Sequence, residues 1–434
     1  MSEIHRTNRR IQTMNAPIIG ALQAEPAVIP TRFPGHLTSR TKLSSAQDYL
    51  DAARSIQPLL KANAAKARQI RRPADESVAA VVEAGLIGIL RPKRYGGPGL
   101  ELSDMIDVAD LLAEGCPGTA WDYGVWELHN WIVGMLPEQG QAEVFGSDDN
   151  LVICCGVFNP ALAHARRVEG GYMLKGRWSY GSGSTHANWA CSVAMVPSDV
   201  EGAAPEARMF VFPNTDFDVL DTWHVTGLSS TGTHDFCIGD EVFVPEHRTL
   251  SGAEVYGGTA PGALLHDEAT FRLPVLPGAH LFGAATAAGA TRAAITEFRN
   301  LTAKRVRVNG TKQYEAAAPL ARIARAIIDA EAAIVLLRKT VRDVEAEVRA
   351  GRALTLEQRA KVRMVSGYVP DLCRQAVTSL VGASGVTALA EGNELIALLL
   401  DVTGMANHAS TDYDLGPENY GRVLMGLDPS NPKI

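Results

Sequence analysis

The period of the apolar positions changes twice along the chain. From Ser44 onward, Ala46, Leu50, Ala53, Ile56, Leu59 and Leu60 recur three and four residues apart, as they do on a helix with one buried face. A second helix is predicted from Asp75 to Gly85, followed by a Gly- and Pro-rich turn around Tyr95-Gly96-Gly97. Ser103 is read as the cap of a helix reaching about Glu114, and a further helix covers roughly Thr119 to Met135. Between about 150 and 250 the pattern shortens. Gly171 to Lys175, Trp189 to Val196, Arg208 to Phe212 and Asp235 to Gly239 are short apolar runs separated by Gly, Pro, Asp and Asn, which predicts antiparallel strands. After Pro277 the helical period returns. Its most regular stretch, Leu320, Ile323, Ile327, Ala330, Ile334, Leu337, Val341, Val344 and Val348, needs a partner helix. That partner lies within a four-helix bundle and, on a bolder reading, also across a subunit interface. The chain is therefore expected to be α+β: a flexible arm over 1–40, an α-helical domain over 41–149, a β-domain over 150–250 and a helical bundle over 251–434.

Composition narrows the function. A chain of 434 residues exceeds what one core organises. The net charge of -7, without a concentrated basic stretch, points away from nucleic acid and anionic membranes as partners. No stretch has the run of about 18 apolar residues that a membrane-spanning helix needs, and the first residues lack the apolar core of a secretory signal. The six cysteines show no CxxC or Cys/His ligand spacing, so reduced thiols, a cytoplasmic location and no metal are expected.

Four stretches carry chemistry. They are Trp121-Asp-Tyr-Gly-Val-Trp-Glu-Leu-His129; Gly176-Arg-Trp178-Ser-Tyr180-Gly-Ser182-Gly183; Trp223 through Thr231-Gly232-Thr233 ahead of Val244-Pro245-Glu246; and Met405-Ala-Asn-His408-Ala-Ser410. With the order helical, β, helical, they resemble the oxygenase components of two-component flavin-dependent monooxygenases of the acyl-CoA dehydrogenase superfamily, such as the 4-hydroxyphenylacetate and secosteroid hydroxylases. The resemblance implies an acyl-CoA dehydrogenase-like fold and a homotetramer. It also implies reduced FMN or FAD that reacts with O2 to a C4a-hydroperoxide, and hydroxylation of a small aromatic substrate. The absence of a Gly-rich dinucleotide fingerprint agrees with a separate NAD(P)H:flavin reductase.

The resemblance assigns roles residue by residue. His129 would polarise or deprotonate the substrate, although a helix histidine satisfied by a backbone carbonyl is the plainer reading. Ser182, between glycines, would meet the flavin, and His408 would line the substrate side. Trp178, Tyr180, Thr231, Thr233 and Arg305 are the further flavin candidates, Arg305 across subunits. Trp121, Cys155, Arg272 and Ser410 are the further substrate candidates. Ser410 stands where the hydroxyphenylacetate enzyme carries a tyrosine, which together with Cys154-Cys155-Gly156 points to a neutral ring, a phenol or an indole. Two other classes stay open: an FAD-dependent acyl-CoA dehydrogenase, and a flavin-free binding member of the fold. Against the dehydrogenase, the place of its usual glutamate base falls near Ala409.

Overall fold

A computed structural model describes residues 26–31, 42–148, 150–156, 161–198 and 200–431. Five helices come first: α1 (Ala46–Ile70), α2 (Asp75–Glu83), α3 (Leu102–Gly115), α4 (Pro117–Val133) and α5 (Glu138–Phe145). Ser103 is not the cap of α3. Glu101 and Asp104 form a reciprocal capping box there, and the Ser103 N–H donates instead to Glu345 Oε1 at 2.7 Å. Gly289, on a helix of the bundle, shows how closely the two helical parts meet: a Cβ there would stand 2.1 Å from the Asp110 carbonyl oxygen of α3.

The sheet contains β1 (Val28–Ile29), β2 (Ile153–Cys154), β3 (Ala163–Val168), β4 (Gly171–Gly181), β5 (Trp189–Val196), β6 (Glu206–Pro213), β7 (Asp218–Leu220), β8 (His234–Pro245) and β9 (Thr249–Ser251). Its order is β1-β7-β8-β4-β3-β5-β6-β9, with β2 beside β5. β1 corrects part of the expected arm. Val28 and Ile29 pair with Leu220 and Val219, because a β-branched pair between Pro26 and Pro30 suits a sheet edge. The rest of the arm, 1–25 and 32–40, lies outside the described residues. β3 was not foreseen, since Ala-His-Ala-Arg-Arg-Val lacks an apolar run; small residues face inward and long polar ones outward.

The last third holds α6 (Gly252–Gly257), α7 (Val275–Lys304), α8 (Ala317–Arg349), α9 (Leu356–Ser384), α10 (Glu394–Ala406) and α11 (Pro417–Leu424). α7, α8, α9 and α10 form the bundle, and α3 packs on α7. One continuous apolar core links all three parts. The heptad seam of α8 divides: Ala330, Ile334, Leu337, Val341, Val344 and Val348 are buried, whereas Leu320 and Ile327 are exposed.

Candidate active site

Helix α4 organises the site. Pro117 occupies its first turn, where a missing N–H costs nothing, and every residue from Pro117 to Val133 is buried. The helix therefore presents a different chemistry on each face. Gly118, Asp122, Trp126 and His129 fall on one face at spacings of four, four and three. Asp122 has both carboxyl oxygens buried without a partner among the described residues, and the Trp126 Nε1–H and the Ser230 hydroxyl are left in the same state. Burial holds the Asp122 carboxyl well above the usual carboxylate range, so it is a neutral acid. Gly183, at φ 68°, passes directly under Trp126: a Cβ would stand 2.3 Å from its Nε1.

Beside this face runs a chain of hydroxyls. The Trp121 Nε1–H donates to Ser182 Oγ at 3.2 Å, Ser182 meets Thr233 Oγ1 at 2.8 Å, Thr233 meets Thr231, and Thr231 Oγ1 donates to the Leu228 carbonyl at 2.8 Å. Each hydroxyl has one proton, which fixes the direction of every link. Thr231 gives its proton to Leu228 and must accept from Thr233; Thr233 must then accept from Ser182. Ser182 thus faces its remaining neighbour as an acceptor, with one lone pair beyond the indole bond.

The two histidines are held in opposite tautomers. The backbone N–H of Ser410 donates to His408 Nδ1 at 3.2 Å, with the Ser410 hydroxyl at 2.7 Å. The neutral His408 ring therefore carries its proton on Nε2. Burial, aided by the Arg363 charge, lowers its pKa to about 4. Its ring meets Trp121 edge-on at 4.9 Å. His129 Nδ1 lies 3.0 Å from the Ile153 carbonyl, which can only accept, so in the neutral ring Nε2 keeps the lone pair. Trp121 and His129 are separated by eight residues of α4, about 12 Å along the axis.

Cys155 lies against Cys191, His129 and Ser192. A hydrogen bond from the Cys191 thiol outweighs burial and holds the Cys155 thiol well below its usual range. Arg272 lies apart from this cluster, in a cavity of about 510 Å³ lined also by Tyr256, Leu276, Arg352 and Arg359. Tyr256, on the wall of that cavity, keeps half its surface exposed, and burial of the rest together with the nearby Cys155 pushes its phenol up.

Three flavin candidates are placed elsewhere. Trp178 is fully buried and stacked on Phe236 at 5.5 Å, its N–H on the Val193 carbonyl at 2.8 Å, so it belongs to the core of the β-domain. Tyr180 is exposed and meets Trp223 edge-on. Arg305 caps the far end of α7, its guanidinium against Gly385. It follows His280 by 25 residues, about 37 Å along the helix, and His280 is the residue of α7 that faces His408. Reasoning on the sequence missed Asp122, Trp126, Cys191, Tyr256 and His280. Only the first two carried a signal, their helical spacing from His129.

The sequence pattern described as "Acyl-CoA dehydrogenase, N-terminal domain" matches residues 47–144, and "Acyl-CoA dehydrogenase, C-terminal domain" matches 281–413. A pigment production hydroxylase of Rhodococcus sp. (strain ATCC 21145) is 32% identical over 391 residues, 89% of this chain and 98% of its own. The oxygenase component of p-hydroxyphenylacetate 3-hydroxylase from Acinetobacter baumannii is 30% identical over 387 residues, 89% of this chain and 90% of its own. Among solved structures, XiaF from Streptomyces sp., in complex with FADH2 and glycerol, superposes with a TM-score of 0.82 at 26% identity, over 90% of this chain and 98% of that one. Together with the helical, β and helical parts arranged around α4, these likenesses show that the chain belongs to the oxygenase components of the flavin-dependent monooxygenases built on the acyl-CoA dehydrogenase fold.

Proposed function

We propose that this chain inserts one atom of O2 into a small phenol or indole, using reduced FMN or FAD delivered by a separate NAD(P)H:flavin reductase. The observation that carries the reading is a pair of histidines in opposite tautomers: His129 on α4 offers a lone pair, and His408, edge-on to Trp121, offers an N–H. The residues fit a flavin. Buried Trp126 and Ser230 donors and the neutral Asp122 lack protein partners, and Ser182 has a lone pair to spare, as the polar edge of a planar ring system requires. Ser182, Thr231 and Thr233 would hold it. When bound, the reduced flavin supplies the two electrons that send one oxygen atom of O2 into the substrate and the other into water.

The chain's own contribution is positional and protonic. His129 Nε2 takes the hydroxyl or ring N–H proton of the substrate, which raises electron density at the ring carbon to be attacked. His408 Nε2–H donates a hydrogen bond, and its lowered pKa keeps it from adding a charge to an apolar chamber. The buried walls of α4 and α7 keep water out. A p-hydroxyphenylacetate hydroxylase among the relatives supports a phenol. No carboxylate stands at Ala409, the place of a dehydrogenase's base.

The test is anaerobic mixing of the protein with reduced FMN or FAD and a panel of phenols and indoles, followed by ¹⁸O2. A transient absorbance absent from free flavin, with one ¹⁸O atom in the product, is expected. Reoxidation at the rate of free flavin with no labelled product would overturn the reading.

A further inference from the structure

Spacing along the sequence shows no metal ligands, yet the fold assembles a set of them. His129 comes from α4, Cys155 from the residue after β2, and Cys191 from β5, which pairs with β2 in parallel. Their ligand atoms lie within 4.8 Å of one another. His129 and Cys191 are buried and Cys155 is half-buried. The His129 Nδ1–H on the Ile153 carbonyl is the arrangement found behind metal-bound imidazoles: one nitrogen is tied to the backbone, which leaves the lone pair of the other free to take an ion. The Met209 thioether, 3.5 Å from Cys191 Sγ, adds a fourth soft atom beside the set.

Two thiolates and one imidazole select a soft or borderline ion over Mg²⁺ or Ca²⁺. Bond lengths of about 2.0–2.3 Å around tetrahedral Zn²⁺ put donor atoms roughly 3.5 Å apart, so small side-chain rotations close this set onto an ion. Three protein ligands leave one position open.

The geometry points to a Zn²⁺ site made by His129, Cys155 and Cys191, in which the ion takes the lone pair that the oxygenation reaction needs and so acts as a reversible inhibitor. The inhibition rests on the function proposed above; the binding does not. Zn²⁺ enters as the two thiols give up their protons, and no electron is transferred.

Co²⁺ alone, added to the reduced, chelator-treated, full-length protein without flavin, is the first probe. One Co²⁺ per chain is expected, with a near-ultraviolet thiolate-to-cobalt band that Zn²⁺ abolishes. Cys155→Ser and Cys191→Ser should each reduce that band by about half and weaken binding by roughly tenfold or more. His129→Ala should weaken binding while keeping the band, and Cys237→Ser should change neither. Should the serine variants misfold, Zn²⁺ protection of two thiols from iodoacetamide in the unaltered protein reads the same site. Lack of a thiolate band, or a band indifferent to both cysteines, overturns the proposal. Turnover with reduced flavin is the separate arm: stoichiometric Zn²⁺ should stop it and a chelator restore it. Cobalt binding without inhibition removes the inhibitory role, and cobalt binding in a protein that oxygenates nothing leaves the site standing and sinks the function.

Discussion

Ser182 has its proton committed to Thr233 by a chain that ends on the Leu228 carbonyl, so its oxygen can serve a ligand only as an acceptor. Replacing it with alanine removes that acceptor, leaves the Trp121 N–H buried without a partner and frees the Thr233 lone pair. Ser182→Ala is therefore expected to cost about 1–3 kcal/mol of stability and to lower the yield of hydroxylated product per flavin oxidised by roughly tenfold, the rate ratio equivalent to about 1.4 kcal/mol. Product and peroxide measured together check this; an unchanged ratio of the two would remove Ser182 from the oxygen chemistry. The same scale shows how much of the site was legible beforehand. Ser182, Thr231, Thr233, His408 and Ser410 stand out in the sequence because they sit in short motifs, and the fold joins them through direct contacts. Trp178 sits in a similar motif, but strand alternation turns its ring into the aromatic core among Phe212 and Phe236. Cys191 was invisible as a partner of His129 because their meeting depends on β5 pairing with β2, the strand that packs on α4, which no local pattern encodes.

Among the elements, α4 has an anchor on a side of its own. Glu127 accepts the backbone N–H groups of Gly88 at 2.8 Å and Leu90 at 3.3 Å, tying the helix to the turn after α2. Burial outweighs these bonds and raises its pKa from the ordinary 4.5 to about 7. The protonated form is thus the one the fold prefers. Its contribution is full below about pH 4.5 and is lost as the pH rises through about 7. In Glu127→Gln that dependence is absent. The stability of the natural protein minus that of the variant should fall between pH 4.5 and 7 by an amount on the order of 3 kcal/mol, measured by urea unfolding at each pH. A difference flat with pH would mean that Glu127 stays ionised in the fold. The elements themselves were mostly readable. α1, α2, α4, β4, β5, β6, β8 and the bundle follow from apolar period, which burial enforces. β1 and β3 escaped because a two-residue edge strand and an alternation of alanine with arginine carry little apolar signal. The start of α3 was misplaced because an acidic capping box replaced the expected serine cap.

For the whole molecule the unresolved question of α8 becomes one of assembly. Its seam is buried from Ala330 to Val348, but Leu320, Ile327, Ile328 and Val335 are exposed, Ile328 at 63% and Val335 at 57%. These four recur at seven- and eight-residue spacings and so make a stripe of large aliphatic groups along one side of the helix. A stripe of this kind is the mark of a surface that meets another chain, and a second copy of α8 supplies a matching one by symmetry. Arg305 bears on the same question: it stands at the far end of α7, and its Nη1 is buried without a partner among the described residues. The natural protein is therefore expected to be a homo-oligomer, a tetramer by its resemblance to its family. Ile328→Glu places a charge in that stripe and should lower the mass seen by light scattering while leaving the helical circular dichroism intact. If Arg305 meets a flavin across the same assembly, Ile328→Glu and Arg305→Ala should both weaken the binding of reduced flavin, the first through dissociation and the second at unchanged mass. An unaltered protein with the mass of one chain would show that the stripe is not an interface, and Ile328→Glu that keeps the natural mass would place the interface elsewhere on the molecule.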